Sequence, residues 1–182
     1  MATATLSPNQ QSRKLRLLCT AGLFAALIYV LTAYLHVPTT KGYIHLGDGL
    51  IYLCASFLPA PYAIAASAIG GAMSDALSGY WIWVPATLVI KGLTAACFSH
   101  KSEKIISVRN IIALVPALAL CVLGYGFYSG LVIYGSIPLG FADALANTFQ
   151  VAGSTVLYVV AGIAFDKAGI KKKYFSIAAQ EV

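Results

Sequence analysis

The chain has 182 residues, a formal net charge of +6, only 10% charged residues and a mean hydropathy of +0.81. A soluble domain carries about 25% charged residues to make its polar skin. These values therefore exclude an ordinary soluble globular domain, although the length would suit one.

About 20 apolar residues cross a bilayer as a helix, and on that rule the sequence predicts an all-α integral membrane protein, a bundle of six transmembrane helices. The first predicted span is Leu15 to Leu35. It follows the basic run "RKLR", as a signal peptide would. Its length of about 20 residues exceeds a signal core, and no A-x-A-like site closes it, so it reads as a retained helix. Residues 1–14 read as a cytoplasmic tail, disordered over the first dozen positions. The second span is Gly42 to Leu58, ended by "PAP" at Pro59 to Pro61. The third is Tyr62 to Leu77, the fourth Val84 to Phe98, the fifth Asn110 to Tyr134 and the sixth Leu139 to Phe165. The second and fourth are short and interrupted by Gly or Pro, a pattern tolerated where backbone lines a protein cavity rather than lipid. Residues 15–166 form the membrane domain in this reading, and residues 167–182 a basic cytoplasmic tail.

Charge placement fixes the expected orientation. Arg13 and Lys14 precede the first span and Arg16 lies in its first turn, Lys101, Lys104 and Arg109 lie between the fourth and fifth, and Lys167, Lys171, Lys172 and Lys173 follow the sixth. Six spans with both termini cytoplasmic put all of these inside, as the positive-inside rule requires. Lys41 falls outside, and Lys91 falls within the membrane. The basic ends suit contact with anionic lipid of the bilayer, and nothing calls for nucleic acid.

Chemistry-bearing motifs are sparse. No G-x-x-x-x-G-K-[ST] phosphate loop, H-E-x-x-H or G-x-S-x-G occurs, so the chain reads as neither an ATPase of that type nor a recognisable enzyme. Cys19, Cys54, Cys97 and Cys121 are scattered without C-x-x-C and read as packing residues. His36, His45 and His100 are too dispersed for a metal site. Polar residues inside the spans instead form stripes. Thr87, Lys91 and Thr94 share one helix face. Asp143, Asn147, Gln150 and Ser154 share another. Ala63, Ser67, Gly71 and Asp75 make a small-residue ridge ending in a carboxylate. Tyr125 and Tyr128 on the fifth span, with Tyr80, Trp81 and Trp83 in the "GYWIW" loop, add aromatic surface. Most of these fall in the outer half of the membrane.

Several have a second reading. Asp48 and Asp143 are expected to begin helices, where a carboxylate also serves as a cap. Trp81 and Trp83 suit an interfacial aromatic belt. The ridge on the third helix suits close helix packing, and Asn147 and Gln150 suit interhelical hydrogen bonds. Lys91 is harder to assign to packing. A lysine at a helix centre costs ~2.5–3.5 kcal/mol on insertion scales, and six residues past Pro85 place it about 9 Å deep. Asp75, near the unfavourable C-terminal end of the third helix, is the expected partner across a pocket.

The segments "GYIHLGDGLIYLCASFL" and "AIGGAMSDALSGYWIWVPATLVIKGLTA" resemble the substrate-binding S components of energy-coupling factor (ECF) vitamin transporters, and most nearly the branch of hydroxymethylpyrimidine and pyridoxine carriers. The resemblance runs from about Gly42 to Ala96, on a Gly-Asp opening the second helix, an Asp late in the third and "PAT-x-x-x-KG" in the fourth. It implies a vitamin site near the outer surface, and the polar and aromatic residues read above, Asp48, Asp75, Trp81, Trp83, Lys91, Tyr125, Tyr128, Asn147 and Gln150, are the expected contacts. It also implies a gating loop, His36 to Gly47, carrying His36, Lys41, Tyr43 and His45. Ala21-x-x-x-Ala25 on the first helix corresponds to the family motif that docks on a transmembrane coupling subunit. Two cytoplasmic ATPases would hydrolyse the ATP, and the chain itself would need no cofactor. The expected function is capture, without chemical change, of a small heteroaromatic vitamin or precursor. A stand-alone facilitator or secondary transporter, and then a membrane-embedded enzyme, are the competing readings.

Overall fold

The computed structural model describes residues 8–39 and 41–180. It is almost wholly helical: α1 (Pro8–Tyr34), α2 (Gly47–Phe57), α3 (Ala60–Leu77), α4 (Val84–Ala96), α5 (Val108–Ile112), α6 (Leu114–Tyr128), α7 (Ile137–Ala144), α8 (Ala146–Ala168) and α9 (Ile170–Gln180). A two-stranded antiparallel hairpin, β1 (His36–Pro38) and β2 (Tyr43–His45), joins α1 to α2, with Val37 opposite Ile44. The stretches Asn9–Tyr34, Val108–Ile133 and Ile137–Ala168 are long and apolar enough to cross a bilayer. Large apolar side chains point outward on several helices, among them Leu23 and Val30 on α1, Leu88 and Leu93 on α4, Val115 on α6 and Phe149 and Val160 on α8. In water so much exposed apolar surface would drive aggregation; facing lipid it costs nothing. The chain is a multi-pass membrane protein.

The shorter helices occupy the interior. At 11 residues α2 is about 16 Å long and too short to cross alone. Every residue of it but Leu50 is buried. The predicted second span therefore contracts at its start: Gly42 to Leu46 belong to the hairpin and the turn into α2. Helix α3 packs against α1 and α4, and α2 against α8. Small residues permit these approaches. A Cβ at Gly70 would lie 2.7 Å from the Ala25 carbonyl oxygen on α1, and one at Gly49 equally 2.7 Å from that of Ser154 on α8.

The last two predicted spans are interrupted. Pro116 offers no N–H to the Ile112 carbonyl, and the helix breaks between α5 and α6 at Ala113. The sixth divides at Leu145 into α7 and α8, so Asp143 lies near the end of α7 rather than at the start of a helix.

Both ends of the described chain are helical. The N-terminal tail falls partly on residues 1–7, outside the described residues, while α1 is already formed at Pro8. At the other end α8 stops at Gly169, whose φ of +64° makes the left-handed cap that glycine adopts without strain. Helix α9 then packs on the N-terminal half of α1 and the end of α2. The Tyr174 ring lies 5.1 Å from Phe57, and its hydroxyl lies 2.8 Å from Thr20 Oγ1. Lys171 is only 5% exposed, and its Nζ donates to the carbonyls of Ser56 (2.7 Å) and Ser102 (2.6 Å).

Candidate functional site

A cavity opens where the hairpin meets the C-terminal end of α3, the start of α4, the end of α6 and the α7–α8 junction. The polar stripes do converge there. Asp75 comes from α3, Thr87 from α4, Tyr125 from α6, and Asp143, Asn147 and Gln150 from α7 and α8. Trp83 joins them from the 3-10 turn Trp81–Trp83, and Tyr43 and His45 from β2. Thr39, Gly42 and Ser129 complete parts of the wall and were not legible as site residues. Ser129 reaches it from a π-helical turn, Ser129–Ile133, whose extra residue shifts the helix face in a way no 3.6-residue periodicity signals.

The hairpin is tied down from below. Tyr43 Oη donates to Asp75 Oδ1 at 2.6 Å, and the Tyr43 ring packs 4.9 Å from Tyr80 and 4.7 Å from His36. Burial, then the neighbouring Asp75 carboxylate, raises the Tyr43 phenol above its ordinary pKa, so it stays a donor. Trp83 Nε1 donates to the Lys41 carbonyl at 3.0 Å; the Lys41 side chain itself is exposed. His45 Nδ1 accepts from the Gly47 N–H at 3.0 Å, at the open end of α2. Burial pushes the imidazole down to about 3, which keeps it neutral and able to accept.

Beneath the cavity floor lies a separate charged cluster. Lys91 Nζ stands 2.7 Å from Asp48 Oδ1, with both side chains at 2% exposure or less. The predicted Asp75–Lys91 pair is thus replaced by Asp48–Lys91. The reason is positional: Asp48 lies in the first turn of α2 without capping it, and α2 is buried between its neighbours, so its carboxylate meets α4 inside the bundle. Gln150 Nε2 donates to Asp48 Oδ2 at 2.8 Å, while its Oε1 accepts from the His45 N–H at 3.2 Å. The Lys91 ammonium also sits 5.1 Å from the centre of the Tyr125 ring, within cation–π range. Tyr125 Oη and Thr87 Oγ1 are 2.9 Å apart. Gln150 and Tyr125 therefore connect the charge pair to the cavity, which neither Lys91 nor Asp48 lines.

Other expected contacts lie elsewhere. Trp81 is 67% exposed and turns away from the cavity, as an interfacial belt residue would. Tyr128 is half-buried against Trp83, and its hydroxyl donates to the Ile82 carbonyl. His36 packs on Tyr43 without reaching the cavity wall. Ala21 is buried and Ala25 packs against the same core, so the docking motif read on α1 faces into the bundle, against α3. One position on, Gly22 and Ala26 are small residues that α1 leaves exposed.

The family model of the ECF-type riboflavin transporter S component matches residues 12–167 of the chain. A search of curated proteins finds no match.

Proposed function

Starting from a chain that belongs to the ECF-type riboflavin transporter S-component family, we propose that it captures a small heteroaromatic vitamin or vitamin precursor, hydroxymethylpyrimidine or pyridoxine. The family is one of transporter subunits rather than enzymes. In this proposal the ligand enters from outside and passes through a transmembrane coupling subunit driven by two partner ATPases. Six crossings with both termini cytoplasmic complete the picture. The basic residues support that orientation: Arg13, Lys101 and Lys172 gather round a cleft at the ends of α1 to α3 opposite the hairpin.

The observation that carries the reading is the cavity itself. Aromatic faces from Trp83 and Tyr125 stand beside Asp75, Asn147 and Gln150. Flat rings suit the first set, and a polar ring edge suits the second. The hairpin supplies a lid whose Tyr43–Asp75 bond must open for entry. Riboflavin is the second reading, favoured by the description of the matching family. A wall built of few aromatics and several short polar groups suits a single ring better than a three-ring system with a long polyol.

The test is mass spectrometry of small molecules retained by the gently purified protein, beside titrations with hydroxymethylpyrimidine, pyridoxine and riboflavin. Retention of a monocyclic ring is expected. A yellow, flavin-loaded preparation would replace the first reading with the second, and uptake that persists after inactivation of the partner ATPases would point to a stand-alone facilitator.

A further inference from the structure

Asp75 is 6% exposed and lines the cavity. Its Oδ1 accepts from Tyr43, but its Oδ2 is buried without a hydrogen-bond partner. A buried carboxylate needs a counter-charge or a full set of donors. Among the described residues the neighbouring groups bring hydroxyls but no counter-charge. Lys91 on the adjoining helix is held by Asp48 at 2.7 Å. Thr87, in the same wall, lies 2.9 Å from Tyr125 Oη and also interacts with Asp75, but a hydroxyl brings no counter-charge, and His45, pushed to the neutral form by burial, brings none either. Asp75 therefore shares the cavity wall with Trp83 and Tyr125 and, among the described residues, has no ion-pair partner of its own.

We infer that Asp75 selects ligands carrying a basic heteroaromatic nitrogen, which shares one proton with Oδ2 while the ring lies against the aromatic wall. A hydroxyl could donate to Oδ2 but would bring no charge. A basic ring nitrogen brings both, since nitrogen and carboxyl together hold one proton and the assembled site is charge-balanced whichever atom carries it. The aromatic wall accounts for the ring and the orphaned oxygen for the nitrogen at its edge. This inference rests on the proposed function and narrows it. It makes Asp75 a determinant of specificity and leaves Lys91 to the scaffold.

The experiment is calorimetric titration of the purified chain, wild type and Asp75→Asn, with pyridoxine, hydroxymethylpyrimidine and the benzene analogue of pyridoxine, in which C–H replaces the ring nitrogen. On the wild type the benzene analogue should bind about tenfold or more weaker than pyridoxine, the scale of one lost hydrogen bond to a charged group. In Asp75→Asn both nitrogen rings should weaken by a similar factor, and the preference over the benzene analogue should vanish. Equal binding of pyridoxine and its benzene analogue by the wild type would overturn the inference, even if the variant failed to fold. So would a preference that survives in Asp75→Asn. If neither nitrogen monocycle binds the wild type, it is the proposed function that fails. The retained molecule then decides: one without a basic ring nitrogen overturns the inference as well, and one with it must lose affinity in Asp75→Asn.

Discussion

Lys91 and Asp48 lie 2.7 Å apart in a site closed to solvent. Desolvating two charges costs several kcal/mol per ion, and their attraction offsets this only when geometry is good and the remaining lone pairs are satisfied. Here Gln150 donates to the second Asp48 oxygen and the Tyr125 ring lies beside the ammonium. Removing one partner strands the other charge, so Lys91→Met should destabilise the protein by about 3–5 kcal/mol. Lys91→Met combined with Asp48→Asn removes both charges and should recover most of that loss. Because neither side chain lines the cavity, the double variant should also bind ligand within a fewfold of wild type. Thermal melts beside titrations on the four proteins check this. A double variant that melts normally yet no longer binds would return Lys91 to the site. The sequence made Lys91 conspicuous because a lone cation in an apolar span is costly wherever it points. Its partner was not legible. Asp48 and Asp75 are both carboxylates near helix ends, and the choice between them depends on how α2 and α3 are set against α4, which no single-helix periodicity encodes.

At the scale of elements, the long spans were legible because crossing a bilayer is a matter of length and apolarity, both of which are local properties of the sequence. The Asn147–Gln150 part of the stripe was legible for the same reason, since one helix face is fixed by spacing alone, whereas Asp143 reaches the cavity from α7, across the break at Leu145. The hairpin, the π-helical turn and α9 were not legible. In α9, Tyr174 and Phe175 follow three lysines, Lys171 to Lys173, and the run reads as a basic tail. Its order comes from tertiary contacts, above all the Lys171 ammonium seated on the Ser56 and Ser102 carbonyls. Lys171→Met should leave those carbonyls without a donor and lower stability by about 1–3 kcal/mol. The pH dependence gives a second check. Burial pushes Lys171 down from 10.5 to about 8, with Asp166 acting in the opposite direction. Between about pH 8 and 10.5 the folded protein releases a proton that the unfolded chain still holds. The unfolded state then binds more protons, and stability rises with pH. The melting temperature of the wild type relative to Lys171→Met should therefore be flat below about pH 8 and climb above it. A difference that stays flat through pH 10 would show the ammonium to be free in solvent, with α9 detached from the bundle.

For the whole molecule, assembly requires a face of the bundle that another membrane subunit can approach closely, and small residues provide it. The motif Ala21-x-x-x-Ala25 has the right composition and the wrong side. Ala21 is 9% exposed, and the Ala25 carbonyl faces Gly70 of α3. Bulk at Ala25 should therefore damage the bundle itself. Gly22 and Ala26 are exposed on the same helix, and a Cβ added at Gly22 meets nothing within 4 Å. Substitution at these two positions should be silent in the isolated chain and disruptive only in the assembly. Ala25→Trp is expected to lower the melting temperature and to reduce ligand binding and uptake together. Ala26→Trp is expected to melt and bind like wild type in detergent while failing to support uptake in cells and failing to co-purify with the coupling subunit. The comparison separates a partner surface from core packing, because only the former can fail in the assembly and pass in isolation. Normal uptake by Ala26→Trp and by Gly22→Trp would remove this face of α1 from the interface. Normal melting and binding by Ala25→Trp, with uptake lost, would restore the docking face to the register of Ala21 and Ala25.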